Sequence, residues 1–158
     1  MISLEEARGP YLHLAPQSGA QFQRAAEQLT TGLQAYLVTQ LNGSHMRTAR
    51  ELFLEFATAL NFPSYFGKNW DALDECLSDL EWLPASGYIL AISDAPEVLR
   101  DDAGEMEKLL NVLQGAGDAW ASANTPRPFH VVFGCAPEQR SLMEQRLGSA
   151  RYDVSIMA

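Results

Sequence analysis

Asp71, Asp74, Glu75 and Asp79 place four carboxylates within nine residues, and no Lys or Arg occurs among residues 69–80. Such side chains can ligate a hard divalent cation or present negative charge to a cationic partner. At about 100° of rotation per residue, Trp70, Leu73, Leu77 and Leu80 fall on one side of a helix, with Cys76 at its margin. Asp71, Asp74, Glu75, Ser78 and Asp79 gather on the opposite side. The first group must pack on a sheet, and the second must face solvent or a partner. Carboxylates side by side on one solvent-facing helix form a fringe of charge, not a convergent cage, and no second acidic helix offers itself. A carboxylate metal-binding enzyme is therefore the weaker reading, and no metal or other cofactor is expected.

Two of these residues have sufficient structural reasons to be present. Asn69 is a good N-cap, because its side-chain oxygen can accept from a free backbone N–H of the first turn. Asp71 lies in that turn, where negative charge is favoured by the helix dipole. Neither reason covers Asp74, Glu75 and Asp79, like-charged neighbours that cost a few tenths of a kcal/mol per pair. A purely structural surface helix mixes its signs. Just upstream, Tyr65-Phe66-Gly67 reads as a turn in which Gly67 takes a positive φ. Phe66 is expected in the core and Tyr65 at the edge of the acidic patch, as an aromatic anchor.

Other chemistry-bearing residues lack a catalytic pattern. His13, His45 and His130 have no metal-ligand spacing, and His130 alternates within an apolar run, as a packed residue would. Gln114-Gly115-Ala116-Gly117 lies inside a helical pattern, where small residues permit close packing. No GxSxG or Cys–His signature occurs. Cys76 and Cys135 sit far apart in apolar surroundings and read as reduced, buried thiols. No catalytic residue is expected, and the chain does not read as an enzyme.

The net charge of −9 is concentrated. Residues 1–68 carry five acids and five bases, residues 108–158 four acids and five bases, and residues 69–107 eleven acids against one base, Arg100. That balance argues against direct nucleic-acid binding, which wants a basic face. It favours a cationic partner steered by the field. No run of about 18 apolar residues suggests a membrane span. Glu5 and Glu6 near the start argue against a signal peptide, so a cytoplasmic protein is expected.

The elements that must position the acidic helix follow from periodicity. Residues 10–15 (PYLHLA) read as a short strand. Ser18 with Gln21 has capping-box spacing, ahead of a helix facing inward with Phe22, Ala25, Ala26, Leu29 and Leu33. Residues 35–41 (AYLVTQL) read as a strand ending at an Asn42-Gly43 turn. The Gly43-Ser44-His45-Met46 run resembles an expression-vector scar, but it sits at a plausible strand-to-helix turn and is read as native. Thr48 and Glu51 form a second capping box, opening a helix with Leu52, Phe53, Phe56 and Leu60 on its face, stopped by Pro63. Residues 87–93 (GYILAIS) and 129–133 (FHVVF) read as buried strands. Between them, Asp102 and Glu105 open a long helix facing inward with Met106, Leu109, Leu110, Leu113, Ala116 and Trp120. Pro137 starts a last helix carrying Leu142, Met143 and Leu147. Tyr152, Val154 and Ile156 alternate as an edge strand. Strands alternating with helices predict an α/β fold with a mainly parallel sheet.

The run from Phe62 to Leu77, FPSYFGKNWDALDECL, resembles the signature of the barstar family, small acidic inhibitors of secreted ribonucleases. Asn42-Gly43, Met46-Arg47-Thr48 and the helix to Leu60 match in the same register, and the downstream strand, long helix and FHVVF strand match in order. The resemblance implies a barstar-like core over 35–135 with a three-stranded, mainly parallel sheet. At 158 residues the chain reads as a single domain over 1–158, in which the resemblance leaves an N-terminal β-α addition (1–34) and a C-terminal helix and strand (136–158). The resemblance further implies a protein that is a monomer when free and plugs a nuclease active site with the acidic helix and its preceding loop. Tyr65, Asn69, Asp71, Ala72 and Glu75 match inhibitor contact positions, and Asp74 and Asp79 extend the same acidic face. Asp71 and Glu75 would pair with the partner's catalytic cations. The expected partner is a basic ribonuclease, or the RNase domain of a delivered toxin, to which this chain would confer immunity. A non-inhibitory adaptor with the same fold is the alternative. Glu75 stands where the family's type member has Asp, Asp74 replaces an aromatic, and Phe66 replaces a Tyr. Gly115 falls where the type member has a contacting Glu, with Asp118 the nearest acid, one turn later.

Overall fold

A computed structural model describes residues 4–148 and 153–157. Five strands form one sheet: β1 (Leu12–Ala15), β2 (Leu37–Asn42), β3 (Tyr88–Ser93), β4 (Phe129–Gly134) and β5 (Val154–Ile156). Their order is β2-β3-β4-β1-β5, and every pairing is parallel. Parallel neighbours need crossovers, supplied by α1 (Gly19–Gly32), α2 (Ala49–Ala59), α3 (Trp70–Asp79), α4 (Met106–Ala121) and α5 (Arg140–Gly148). The β2-β3-β4 unit of the expected core is present. β1 extends it on the β4 side, with Leu12 opposite Val131, and β5 then pairs with β1.

The period-two alternation of the strands decides which helix meets which face. Ala15, Ile89, Ala91 and Val132 point to one side, where Phe22 and Ala26 of α1 cover them. Leu12, Leu14, Leu90, Ile92, Val131 and Phe133 point to the other, against Leu52, Phe56, Leu73, Leu77, Leu109, Leu113, Met143 and Leu147 of α2 to α5. The β1→β2 crossover runs across the sheet in the opposite direction from the later ones. Right-handed connections therefore put α1 alone on its face. The central strands β3 and β4 are buried almost throughout, which matches their unbroken apolar runs.

Local chemistry fixes the helix ends. Thr48 and Glu51 form the capping box read from the sequence, with Glu51 N–H donating to Thr48 Oγ1 at 3.1 Å and Thr48 N–H to Glu51 Oε1 at 3.1 Å. Two buried-edge tryptophans satisfy carbonyls left over at helix C-termini: Trp82 Nε1–H donates to Leu60 O and Trp120 Nε1–H to Leu77 O, each at 2.9 Å.

Several expectations need correction. Ser18 occupies the N-cap of α1, but its side chain accepts no capping bond. Asp102 does not open α4. It has non-helical backbone in a preceding 3₁₀ segment, Arg100–Glu105, and its Oδ2 accepts the Ala49 N–H at 2.8 Å, capping α2 from a distance in sequence. Leu142 is 48% exposed, while Met143 and Leu147 are buried. The positive φ before α3 belongs to Lys68 (53°), not Gly67. In the last strand, Val154 and Ile156 lie in β5, and Tyr152 lies outside the described residues.

Candidate partner-binding face

α3 is held by its apolar side. Leu73, Cys76, Leu77 and the C-capping Leu80 are buried, and Trp70 packs on the core half-buried. Asn69 Oδ1 accepts the Ala72 N–H at 2.8 Å, closing the N-terminus as its residue type predicts. Leu80 ends the helix in a left-handed conformation (φ 47°), and its N–H returns to Cys76 O at 3.1 Å.

The loop before α3 rests on an edge-to-face aromatic chain. Ring centroids are 6.0 Å apart for Trp82 and Phe62, 4.8 Å for Phe62 and Phe66, 6.4 Å for Phe66 and Phe53, and 4.9 Å for Phe53 and Trp70. Such contacts add to the area these rings bury. Phe66 points into this cluster, and the Phe66 N–H bonds to Pro63 O at 3.0 Å. The next side chain upstream, Tyr65, is thrown outward and is 78% exposed.

Asp71, Asp74, Glu75 and Asp79 are all exposed, as is Asn69, while Ala72 is half-buried against the core. Asp71, Glu75 and Asp79 follow one another at intervals of four along one stripe of the helix. Asp74 lies toward α4: a Cβ placed on Gly115 would stand 3.8 Å from Asp74 Oδ1. Asp118 has a different engagement: burial, and then the Asp118 carboxylate beside it, push the Tyr11 phenol up from its ordinary pKa. Among the described residues, none of the four α3 carboxylates makes an ion pair, whereas acids elsewhere do: Glu97 with Arg100, Asp101 with Arg47, Glu105 with Lys108 and Glu144 with Arg140. The negative field also reaches inward. Burial pushes the Cys76 thiol up from its ordinary range, and the Asp79 and Glu75 carboxylates push it further. Among the described residues, no three His, Cys, Asp or Glu side chains are placed to hold one metal ion.

The sequence pattern missed two features here. Gly115 as the neighbour of Asp74 has no local signal, since it joins two helices 41 positions apart in number. The buried pairing of His13 with His130 was also missed, although both stand at same-face positions of their strands.

Fold and face together define an α/β protein that presents an uncompensated acidic helix beside an exposed aromatic. The family model described as Barstar (barnase inhibitor) matches residues 36–134, well over half of the 158 residues, and the chain belongs to the barstar family. By family it is a barnase-inhibitor-like protein. No curated protein matches the chain. Among solved structures, a chain from the structure of Drosophila ORC bound to AT-rich DNA and Cdc6 aligns at 13% identity and TM-score 0.48, over 92% of this chain and 48% of that one. A chain from Drosophila ORC bound to GC-rich DNA and Cdc6 aligns at 12% and 0.47, over 92% and 49%. This chain spans about half the length of those chains, and likeness at that level carries nothing about function. No helix among the described residues is long and apolar enough to cross a membrane.

Proposed function

We propose that this protein is a cytoplasmic inhibitor of a basic ribonuclease, or of the RNase domain of a delivered toxin, and that it blocks the nuclease active site with α3 and the loop before it. Asp71 and Glu75 stand in for substrate phosphates and receive the partner's Arg, Lys or His groups. Asp74 and Asp79 extend the field, Asn69 and Ala72 shape the contact, and Tyr65 packs beside it. The observation that carries this reading is the stripe of exposed carboxylates on α3, none of which makes an ion pair among the described residues, on a helix that carries no Lys or Arg of its own. Desolvated charge-assisted bonds are strong, and removing one partner of a buried pair leaves the other charge stranded at a cost of about 3–5 kcal/mol. Inhibition titrations against a panel of basic RNases test this. The native chain should inhibit at least one of them, and Asp71→Lys/Glu75→Lys should abolish that inhibition. Equal inhibition by the reversed variant would show that this face is not the blocking surface.

A further inference from the structure

On the α1 side of the sheet, His13 Nε2 of β1 lies 2.9 Å from His130 Nδ1 of β4, and both side chains are buried. The contact continues at both ends. His13 Nδ1 is 2.7 Å from Ser155 Oγ on β5, and His130 Nε2 is 2.8 Å from the carbonyl of Glu6 in the N-terminal segment. A carbonyl only accepts, so His130 Nε2 carries a proton and its Nδ1 is the acceptor. His13 Nε2–H then donates to His130, and the Ser155 hydroxyl donates to His13 Nδ1. With both rings neutral, as burial favours, this direction of donation satisfies every member. Only His130 lies within the 36–134 stretch that matches the family; Glu6, His13 and Ser155 belong to the flanking segments.

We propose that the His13–His130 pair is an acid-sensitive latch that closes both flanking segments, residues 4–10 and strand β5, onto the sheet together. A proton on His130 Nδ1 must be accepted by His13 Nε2, which turns His13 to its Nδ1–H tautomer, reverses the Ser155 contact and leaves an imidazolium in the buried site. A proton on His13 Nδ1 reverses the Ser155 contact and leaves a cation in a buried site. Few charges face the pair to offset that. The N-terminal segment brings Glu6, whose carboxylate is paired with Arg8, and Tyr11 just before β1 has its ring centroid 6.1 Å from that of His130 and its phenol beside the Asp118 carboxylate of α4. β5 brings the neutral Ser155. Burial, with His130 adding to it, lowers the His13 pKa from 6.5 to about 4. Burial also lowers that of His130, opposed by the backbone of Glu6 and Pro10 and by the Glu6 carboxylate. Once the segments lift, His13 binds protons as an ordinary imidazole, so acid favours the open form. From His13 alone, the opening equilibrium should grow roughly thirtyfold between pH 7.5 and pH 5. Opening uncovers Leu4 and the outer edge of β1.

Amide hydrogen exchange on the full chain, corrected for the intrinsic pH dependence, tests the latch. Residues 4–10 and 154–156 should lose protection in parallel, roughly thirtyfold between pH 7.5 and 5, while α3 and α4 keep theirs. In His13→Gln/His130→Gln the two segments should lose this pH response. Ser155→Ala removes the hydroxyl that donates to neutral His13 Nδ1, which brings the closed-state pKa of His13 nearer its open-state value and should shrink the pH response of both segments, and this keeps the test available if the double variant does not fold. Protection that ignores pH, segments that open at different pH values, or the whole chain exchanging as one unit would each overturn the proposal.

Discussion

Gly115 of α4 and Asp74 of α3 are spatial neighbours: a Cβ on Gly115 would stand 3.8 Å from Asp74 Oδ1. By the resemblance read from the sequence, these are two positions at which the chain differs from the family's type member, whose acid on the long helix would stand beside residue 74. Here the long helix offers no side chain at that point, and the carboxylate comes from α3. A glutamate at 115 would face Asp74 as a like charge, so glycine and aspartate are compatible as a pair. Asp118 does not replace the missing acid, because Tyr11 engages it.

Gly115 and Gly117 should therefore respond in opposite ways to the same substitution. At 115 the added methyl meets Asp74 at an ordinary contact distance, so Gly115→Ala should gain about 0.5–1 kcal/mol from helix propensity. At 117 the methyl would fall 2.3–2.6 Å from atoms of the Tyr11 ring, so Gly117→Ala should lose about 1–3 kcal/mol by overpacking. Urea midpoints at constant slope measure both. A destabilised Gly115→Ala would show that residue 115 is packed more tightly than its geometry indicates.

Tyr65 and Phe66 separate binding from folding at adjacent positions. Tyr65 is 78% exposed, so Tyr65→Ala should change stability by less than about 0.5 kcal/mol. If Tyr65 anchors the partner, the same substitution should weaken nuclease binding at least about tenfold. Phe66→Ala removes a ring from the aromatic chain and should cost about 3–5 kcal/mol of stability. Titration calorimetry beside thermal unfolding distinguishes the two effects. Unchanged nuclease affinity in Tyr65→Ala would remove that residue from the contact.

What the sequence made legible is what short-range chemistry decides. The Thr48–Glu51 capping box, the Asn69 cap and the sidedness of α3 each depend on residues within about one or two helical turns, so spacing alone exposes them. The buried runs of β3 and β4 were readable because both faces of those strands are covered. The failures involve partners far apart in sequence. Asp102 had good helix-opening chemistry locally, yet Ala49 claims its carboxylate. Asp118, the nearest acid to position 115 along the long helix, stands beside Tyr11 from the other end of the sequence. The Gly67–Lys68 turn shows a further limit: glycine tolerates a positive φ, but tolerance does not decide which of two adjacent residues adopts it.

The Asn69 cap can be isolated from the charge of the face. Asn69→Ala removes the acceptor for the Ala72 N–H and should cost about 1 kcal/mol. Asn69→Asp keeps an acceptor and adds charge where the helix dipole favours it, so it should stay within a few tenths of a kcal/mol of the native chain. Chemical denaturation of the two variants at one salt concentration checks this. If both substitutions cost the same, the Asn69 side chain stabilises something other than the helix terminus.

Global stability should also carry the signature of the buried imidazoles. His13 is neutral when folded, with its pKa lowered to about 4 by burial and by His130, and it titrates near 6.5 when unfolded. The unfolded chain therefore binds more protons between those values, so stability must rise with pH across that window. The contribution is fully retained above pH 6.5. It declines as pH falls toward 4 and is level below that, amounting to about 3 kcal/mol from His13. His130, shifted in the same direction, adds to the slope. Urea unfolding of the native chain from pH 7.5 to 4, compared with His13→Gln, measures the term. The variant should show a shallower dependence over this range. An equal slope in both chains would mean that His13 is already charged, or already solvated, in the folded state.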